Sequence, residues 1–171
     1  YNFCADTELG EPAPFGIDQT VWFTFTAPNT VGANASSSVT INLESDPNNL
    51  GDEINLQVGV RLRQNGINTH ILDNGFSASG GVDLFLAGVQ RTRGTNTRIG
   101  VHSWSDGNGN EATDFPVNSS EHLPNIQYYE NVGYTAQWSR DFYFFTINAA
   151  SADNIHWMTE TEITQYSMLT Q

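Results

Sequence analysis

The stretch INLQVGVRLRQ, residues 54–64, decides how the rest of the chain is read. Its apolar residues Ile54, Leu56, Val58, Val60 and Leu62 take every second position, against Asn55, Gln57, Gly59, Arg61 and Arg63. A period of two sends successive side chains to opposite faces of a strand. The stretch therefore predicts a half-buried β-strand with one wet face. TVWFTFTAP (20–28) and SSSVTINLES (36–45) alternate in the same way, and GVDLFLAGV (81–89) and TRIGVHSW (97–104) repeat the pattern. Turn signals separate these runs: Asn65-Gly66, Asp73-Asn74-Gly75, Gly80-Gly81 and Asp106-Gly107.

Short alternating strands between Gly, Asn and Asp turns predict an all-β fold, an antiparallel β-sandwich or jelly roll. DNIHWMTETEITQY (153–166) comes nearest to a helical pattern and predicts one short helix at most. The last third is aromatic-rich, in NIQYYENVGYTAQW (125–138) and RDFYFFTINA (140–149). These two runs read as a hairpin. The expected division is a sandwich over 1–117 and a C-terminal extension over 118–171. The extension would either complete the sandwich or serve as an interaction segment.

The formal net charge of -13 comes from 19 acidic and 6 basic residues, and the basic residues are all arginine. Binding nucleic acid needs clustered cations to neutralise phosphates, so the balance speaks against that partner. Arg61/Arg63 and Arg91/Arg93, each pair spaced by two, predict solvent-facing charges on edge strands. No apolar run approaches the roughly 18 residues of a membrane-spanning helix. The chain starts Tyr1-Asn2-Phe3, which suggests a processed product or a piece of a longer protein. Cys4 is the one cysteine, so an internal disulfide is excluded. It would pair with a cysteine outside the chain or act as a small buried residue.

VWFTFTAP (21–28) resembles the signature strand of bacterial pre-peptidase C-terminal domains, and YNFCADTELG (1–10) is similar to the segment that often precedes it. VDLFLAGVQRTRGTNTRIGVHSWSDGNGN (82–110) resembles the family's penultimate strand, its turn, its next strand and the following loop. EATDFPV (111–117) would match the final strand. The loop after Pro28 is long for the family, a second cysteine is absent, and residues 118–171 lie outside the pattern. The resemblance implies a non-catalytic β-sandwich in a secreted or cell-surface protein, of a kind that accompanies hydrolases and in some members binds polysaccharide, collagen or calcium.

Two acidic loops carry candidate metal ligands. In the first, Asp106, Asn108 and Asn110 alternate, with Glu111 and Asp114 close behind; in the second, Asp46, Asp52 and Glu53 cluster. Calcium takes several such oxygens, so it is the cofactor that either loop would hold; the alternative for each is a solvated loop. Trp104, Tyr128, Tyr129 and Trp138 are candidate ligand-binding aromatics, because a sugar face stacks on a flat ring and Tyr and Trp also anchor protein interfaces. Their alternative is a second layer of core.

The chain lacks HExxH, GxSxG and zinc-type Cys/His spacing. His102 with Asp106 is the nearest acid–base pairing, and His102 is expected on the open face of its strand. The expected function is a non-enzymatic extracellular binding or accessory module for a polysaccharide or protein. The alternatives are a structural subunit that self-assembles by strand addition and a carbohydrate-active enzyme on a jelly roll.

Overall fold

The computed structural model describes residues 20–26, 36–42, 50–106 and 108–170. Strands β1 (Thr20–Thr26) and β2 (Ser36–Asn42) form an antiparallel pair, as their alternation predicts. Then the architecture departs from expectation. Residues 54–64 belong to a helix, α1 (Leu50–Gln64). The remaining elements are β3 (Thr69–Ile71), β4 (Phe76–Ala78), α2 (Gly80–Ala87), β5 (Arg91–Arg93) and β6 (Arg98–Val101), then α3 (Leu123–Asn131), α4 (Ala136–Ala149), β7 (His156–Trp157) and α5 (Glu160–Gln165). Residues 111–117, expected as a final strand, hold a short 3-10 turn, Ala112–Asp114. This is a mixed α/β fold, with small sheets of two, two and three strands among the described residues. The all-β sandwich or jelly roll, and with it the fold implied by the pre-peptidase resemblance, is overturned.

The reason lies in α1 itself. Its most buried described positions are Asn55, Gly59 and Leu62, at i, i+4 and i+7, whereas Gln57, Arg61 and Gln64 are exposed at the same spacing. Two of the three inward residues, Asn55 and Gly59, are the ones that read as the wet face of a strand. Gly59 faces α3, where a side chain would collide with the Tyr128 ring. α1 packs chiefly on α2, with Asn55 bonded to the Gly80 carbonyl, and Tyr128 of α3 closes over Gly59; these contacts, not the count of apolar residues, set which face is buried.

α2 was expected as a strand for a different reason. Val82, Leu84, Phe85, Leu86 and Ala87 are all buried. A helix that is apolar nearly all round belongs to a core, and a short run of that kind carries no periodicity to separate helix from strand. Gly80-Gly81, read as a turn, is the start of this helix.

α2 is also the crossover for two parallel strand pairs. β3 pairs with β5 from Thr69 opposite Arg91, and β4 pairs with β6 from Phe76 opposite Arg98. Both registers have the same offset of 22 residues. The turn between β3 and β4 keeps it: Asp73 accepts from the Thr95 amide at 2.6 Å, and Asn96 donates to the Asn74 side chain at 2.9 Å. Residues 69–78 and 91–100 are thus successive turns of one coil, stacked in register. β7 closes the outer edge of β6 in antiparallel fashion.

The aromatic third forms two helices where a hairpin was expected. Tyr128 and Tyr129 on α3 and Phe142 and Tyr143 on α4 are buried, with Tyr129 and Phe142 in edge contact at 5.4 Å. The same core contains residues from Leu62 to Met168, so residues past 118 are part of it. Arg91, expected as an exposed edge charge, is buried. It donates to the carbonyls of Gly88, Ser167 and Met168 and ties the C-terminal segment to β5. Among the described residues no helix is long and apolar enough to cross a membrane.

Replacing Gly59 with Ala tests the packing of α1 on α3. Alanine is the better helix former by about 1 kcal/mol. Yet Tyr128 is held by a 2.6 Å bond to the Asp83 carbonyl and cannot step aside freely. Urea denaturation is expected to show Gly59→Ala less stable by ~1–3 kcal/mol, the range for an overpacked core. A variant as stable as the parent would contradict the packing.

Candidate functional site

The parallel pairing of β4 and β6 sets the end points of the two strands side by side, since Ala78 lies opposite Gly100. Neighbouring strands lie about 4.8 Å apart. The chain leaves β4 through Ser79 and leaves β6 through His102. Loops beyond the carboxyl ends of adjacent parallel strands are where open α/β folds place ligands. Ser79 and His102 both line one cavity of about 100 Å³, together with Asn55, Asp83, Trp104 and Tyr143.

Ser79 has an unusual backbone, φ 53° and ψ -135°. A non-glycine residue there is strained. The strain is held from both sides. The Ser79 amide donates to the Gly100 carbonyl at 3.1 Å, and the Ser79 carbonyl accepts from Val82 at 2.8 Å. Ser79 is the N-cap of α2, and serine at that position ordinarily bonds a first-turn amide; here its side chain makes no capping bond. The amides of Gly80 and Gly81 are among the first four of α2, which no intrahelical carbonyl can reach. They give this end of the helix a partial positive charge. A Cβ at Gly80 would press on the Asn55 amide and displace it.

His102 is half-buried, not on an open strand face. Its Nδ1 lies 2.7 Å from the Ser103 carbonyl oxygen. A carbonyl only accepts, so in the neutral ring the proton sits on Nδ1 and Nε2 keeps its lone pair. Asp106 is not its partner. That carboxylate accepts from the amides of Asn108 and Asn110 and from the Asn110 side chain, at 2.7–2.9 Å.

A buried polar chain forms one wall. The Trp104 indole donates to the Tyr143 hydroxyl at 2.9 Å, and that hydroxyl lies 2.8 Å from His122 Nδ1. His122 Nε2 lies 3.0 Å from the Pro116 carbonyl, which fixes its proton on Nε2 and leaves Nδ1 to accept from Tyr143. Burial pushes the Tyr143 hydroxyl up to about 12, against the opposing pull of the Trp104 bond.

The other residues singled out by sequence fall into distinct places. Trp104 is half-buried on the cavity wall. Tyr128 and Tyr129 are buried and donate to the Asp83 carbonyl and carboxylate; burial, then the Asp83 charge, raises both hydroxyls well above the usual tyrosine range. Trp138 is half-buried and stacks against Tyr134 at 3.8 Å and against Phe142 at 4.8 Å. In the first acidic loop, the Asn110 side chain and amide hold the Asp106 carboxyl below the usual aspartate range. Such a depressed group stabilises the folded loop above its unfolded-state value, and the contribution is lost as pH falls through the folded one. Glu111 accepts from the Ala152 amide, and Asp114 accepts from the Glu111 amide. These carboxylates are engaged by backbone amides, and among the described residues no group of three or more acidic, His or Cys side chains is placed to share a metal. Asp46 lies outside the described residues; Asp52 and Glu53 fall within α1, where their side chains are not described.

Sequence reasoning missed Ser79 and Asn55. The signal for Ser79 was a serine followed by two glycines between a strand and an apolar run. Once 81–89 was read as a strand, that signal looked like a turn. No protein-family model, curated protein or solved structure matches this chain.

The wall is tested by Tyr143→Phe, which leaves the Trp104 indole and His122 Nδ1 without a partner. Removing one partner of a buried bond costs about 1–3 kcal/mol. A loss of that size in urea denaturation is expected; no loss would mean that the chain is not formed.

Proposed function

We propose that the protein is an acyl hydrolase with Ser79 as nucleophile and His102 as general base. One observation carries the reading: a serine held in a strained strand-to-helix turn, its hydroxyl not used as a cap, on the same cavity as a histidine whose tautomer leaves Nε2 its lone pair. Strained non-glycine residues cost about 1–3 kcal/mol each and cluster at functional sites. A strand–serine–helix turn is also how nucleophile elbows expose a hydroxyl. Ser77 stands where the usual elbow has its first glycine.

The chemistry follows from these positions. Ser79 Oγ attacks the carbonyl carbon of an acyl substrate, and its proton passes to His102 Nε2. Negative charge gathers on the carbonyl oxygen. The amides of Gly80 and Gly81 at the start of α2 supply donors for it. His102 returns the proton to the leaving group, and water then releases the acyl group from Ser79 by the same steps. The acceptor on His102 Nδ1 is a neutral carbonyl and not a carboxylate, so the imidazolium gains less stabilisation than in a triad with aspartate.

An alkyl fluorophosphonate, which phosphonylates activated serine hydroxyls, provides the test. Mass spectrometry is expected to place the label on Ser79. Ser79→Ala should abolish it, and His102→Ala should slow it by at least about 100-fold, the lower range for a general base. Absence of label on a folded protein would overturn the reading. The expectation of a non-catalytic binding module has Trp104, on the wall of the same cavity, in its support. Saturable polysaccharide binding by an unlabelled protein would favour it.

A further inference from the structure

Asn55 is 4% exposed and lines the cavity beside Ser79. Its Nδ2 donates to the Gly80 carbonyl at 3.0 Å, which fixes the orientation of the amide. Its Oδ1 is buried and has no hydrogen-bond partner. A buried acceptor without a partner costs about 1–3 kcal/mol, and such groups in a folded protein call for an explanation. Here it stands at the N-terminus of α2, one peptide from the proposed nucleophile. Among the described residues, no Arg side chain lines the cavity. The wall therefore offers a ligand the Asn55 Oδ1 acceptor and no fixed cation.

We infer that Asn55 is a specificity-determining residue: its Oδ1 accepts a hydrogen bond from a donor on the acyl part of the substrate, so the site selects acyl groups that carry an N–H or O–H near the scissile carbonyl. This rests on the reading of Ser79 as nucleophile. A site built to bond a donor discriminates strongly against an analogue that lacks it, because its own acceptor is then left unpaired.

Two p-nitrophenyl esters of equal length provide the test. The ester of N-acetylglycine carries an N–H where the ester of 4-oxopentanoic acid carries a methylene. Each kcat/KM is divided by the hydroxide-catalysed rate of the same ester, which removes the intrinsic difference in reactivity. The wild-type protein is expected to favour the N-acetylglycyl ester by about ten-fold or more. Asn55→Leu should bring that ratio to about one, whatever both rates lose with the bond to the Gly80 carbonyl. Asn55→Ala serves the same purpose if the leucine variant does not fold. A wild-type ratio near one, or a ratio unchanged in both variants, would overturn the role of Asn55 while leaving Ser79 as nucleophile. No phosphonate label on Ser79 and no turnover of either ester would instead overturn the underlying reading, and this inference with it.

Discussion

Leu84, Phe85 and Leu86 of α2 are wholly buried, so this helix has to lie inside the molecule with strands and helices around it. Burying each such side chain contributes about 1.5–3 kcal/mol. A buried helix that follows a strand with no loop leaves the chain one residue in which to turn. That residue is Ser79, and the turn requires a positive φ. The bond from its amide to Gly100 locks β4 to β6 at the same point. The crossover, the parallel pairing and the strained serine are therefore one constraint seen from three sides.

The site follows from that constraint. A stacked coil with a constant offset of 22 residues brings the ends of β4 and β6 together, and with them Ser79 and His102. α1 then covers the junction with Asn55, while α3 and α4 close the cavity from the other side with Tyr129 and Tyr143. Helices from the last third thus build a wall of a cavity whose proposed reacting groups lie between residues 79 and 102. An acidic loop beside the cavity is stabilised by its own amides and takes no visible part in it.

How much of this was legible in the sequence differs by element. The two N-terminal strands were, because Val21, Phe23 and Phe25 alternate with polar or aromatic partners and no helix competes for them. α1 was not. Its alternation of Ile, Leu and Val is a stronger pattern than its helical one, while Gly59 is covered by a tyrosine 69 residues further on and Asn55 is bonded to Gly80 of α2. Tertiary contact overrode the local pattern there. α2 was ambiguous in principle, since a short apolar run, Val82 to Ala87 broken only by Asp83, fits a buried strand as well as a core helix. The aromatic residues of α3 and α4 suggested a binding face, but Tyr128, Tyr129 and Phe142 are core, and half-buried Trp138 stacks on Tyr134 and Phe142. His102 was noticed and given Asp106 as a partner on proximity in sequence. The partner that sets its tautomer is a backbone carbonyl, which no side-chain pattern reveals.

The central claim is that Ser79 keeps a strained backbone because its hydroxyl is needed there. Comparing the stability of Ser79→Gly with that of Ser79→Ala isolates the backbone from the hydroxyl. Both variants lack the oxygen, but only glycine adopts a positive φ without strain. The account predicts that the glycine variant unfolds at higher denaturant than the alanine variant, by about 1–2 kcal/mol, the strain relieved less the larger entropy of the unfolded glycine chain. Equal stability, or a less stable glycine variant, would contradict it, for Ser79 would then carry no strain that a function has to justify.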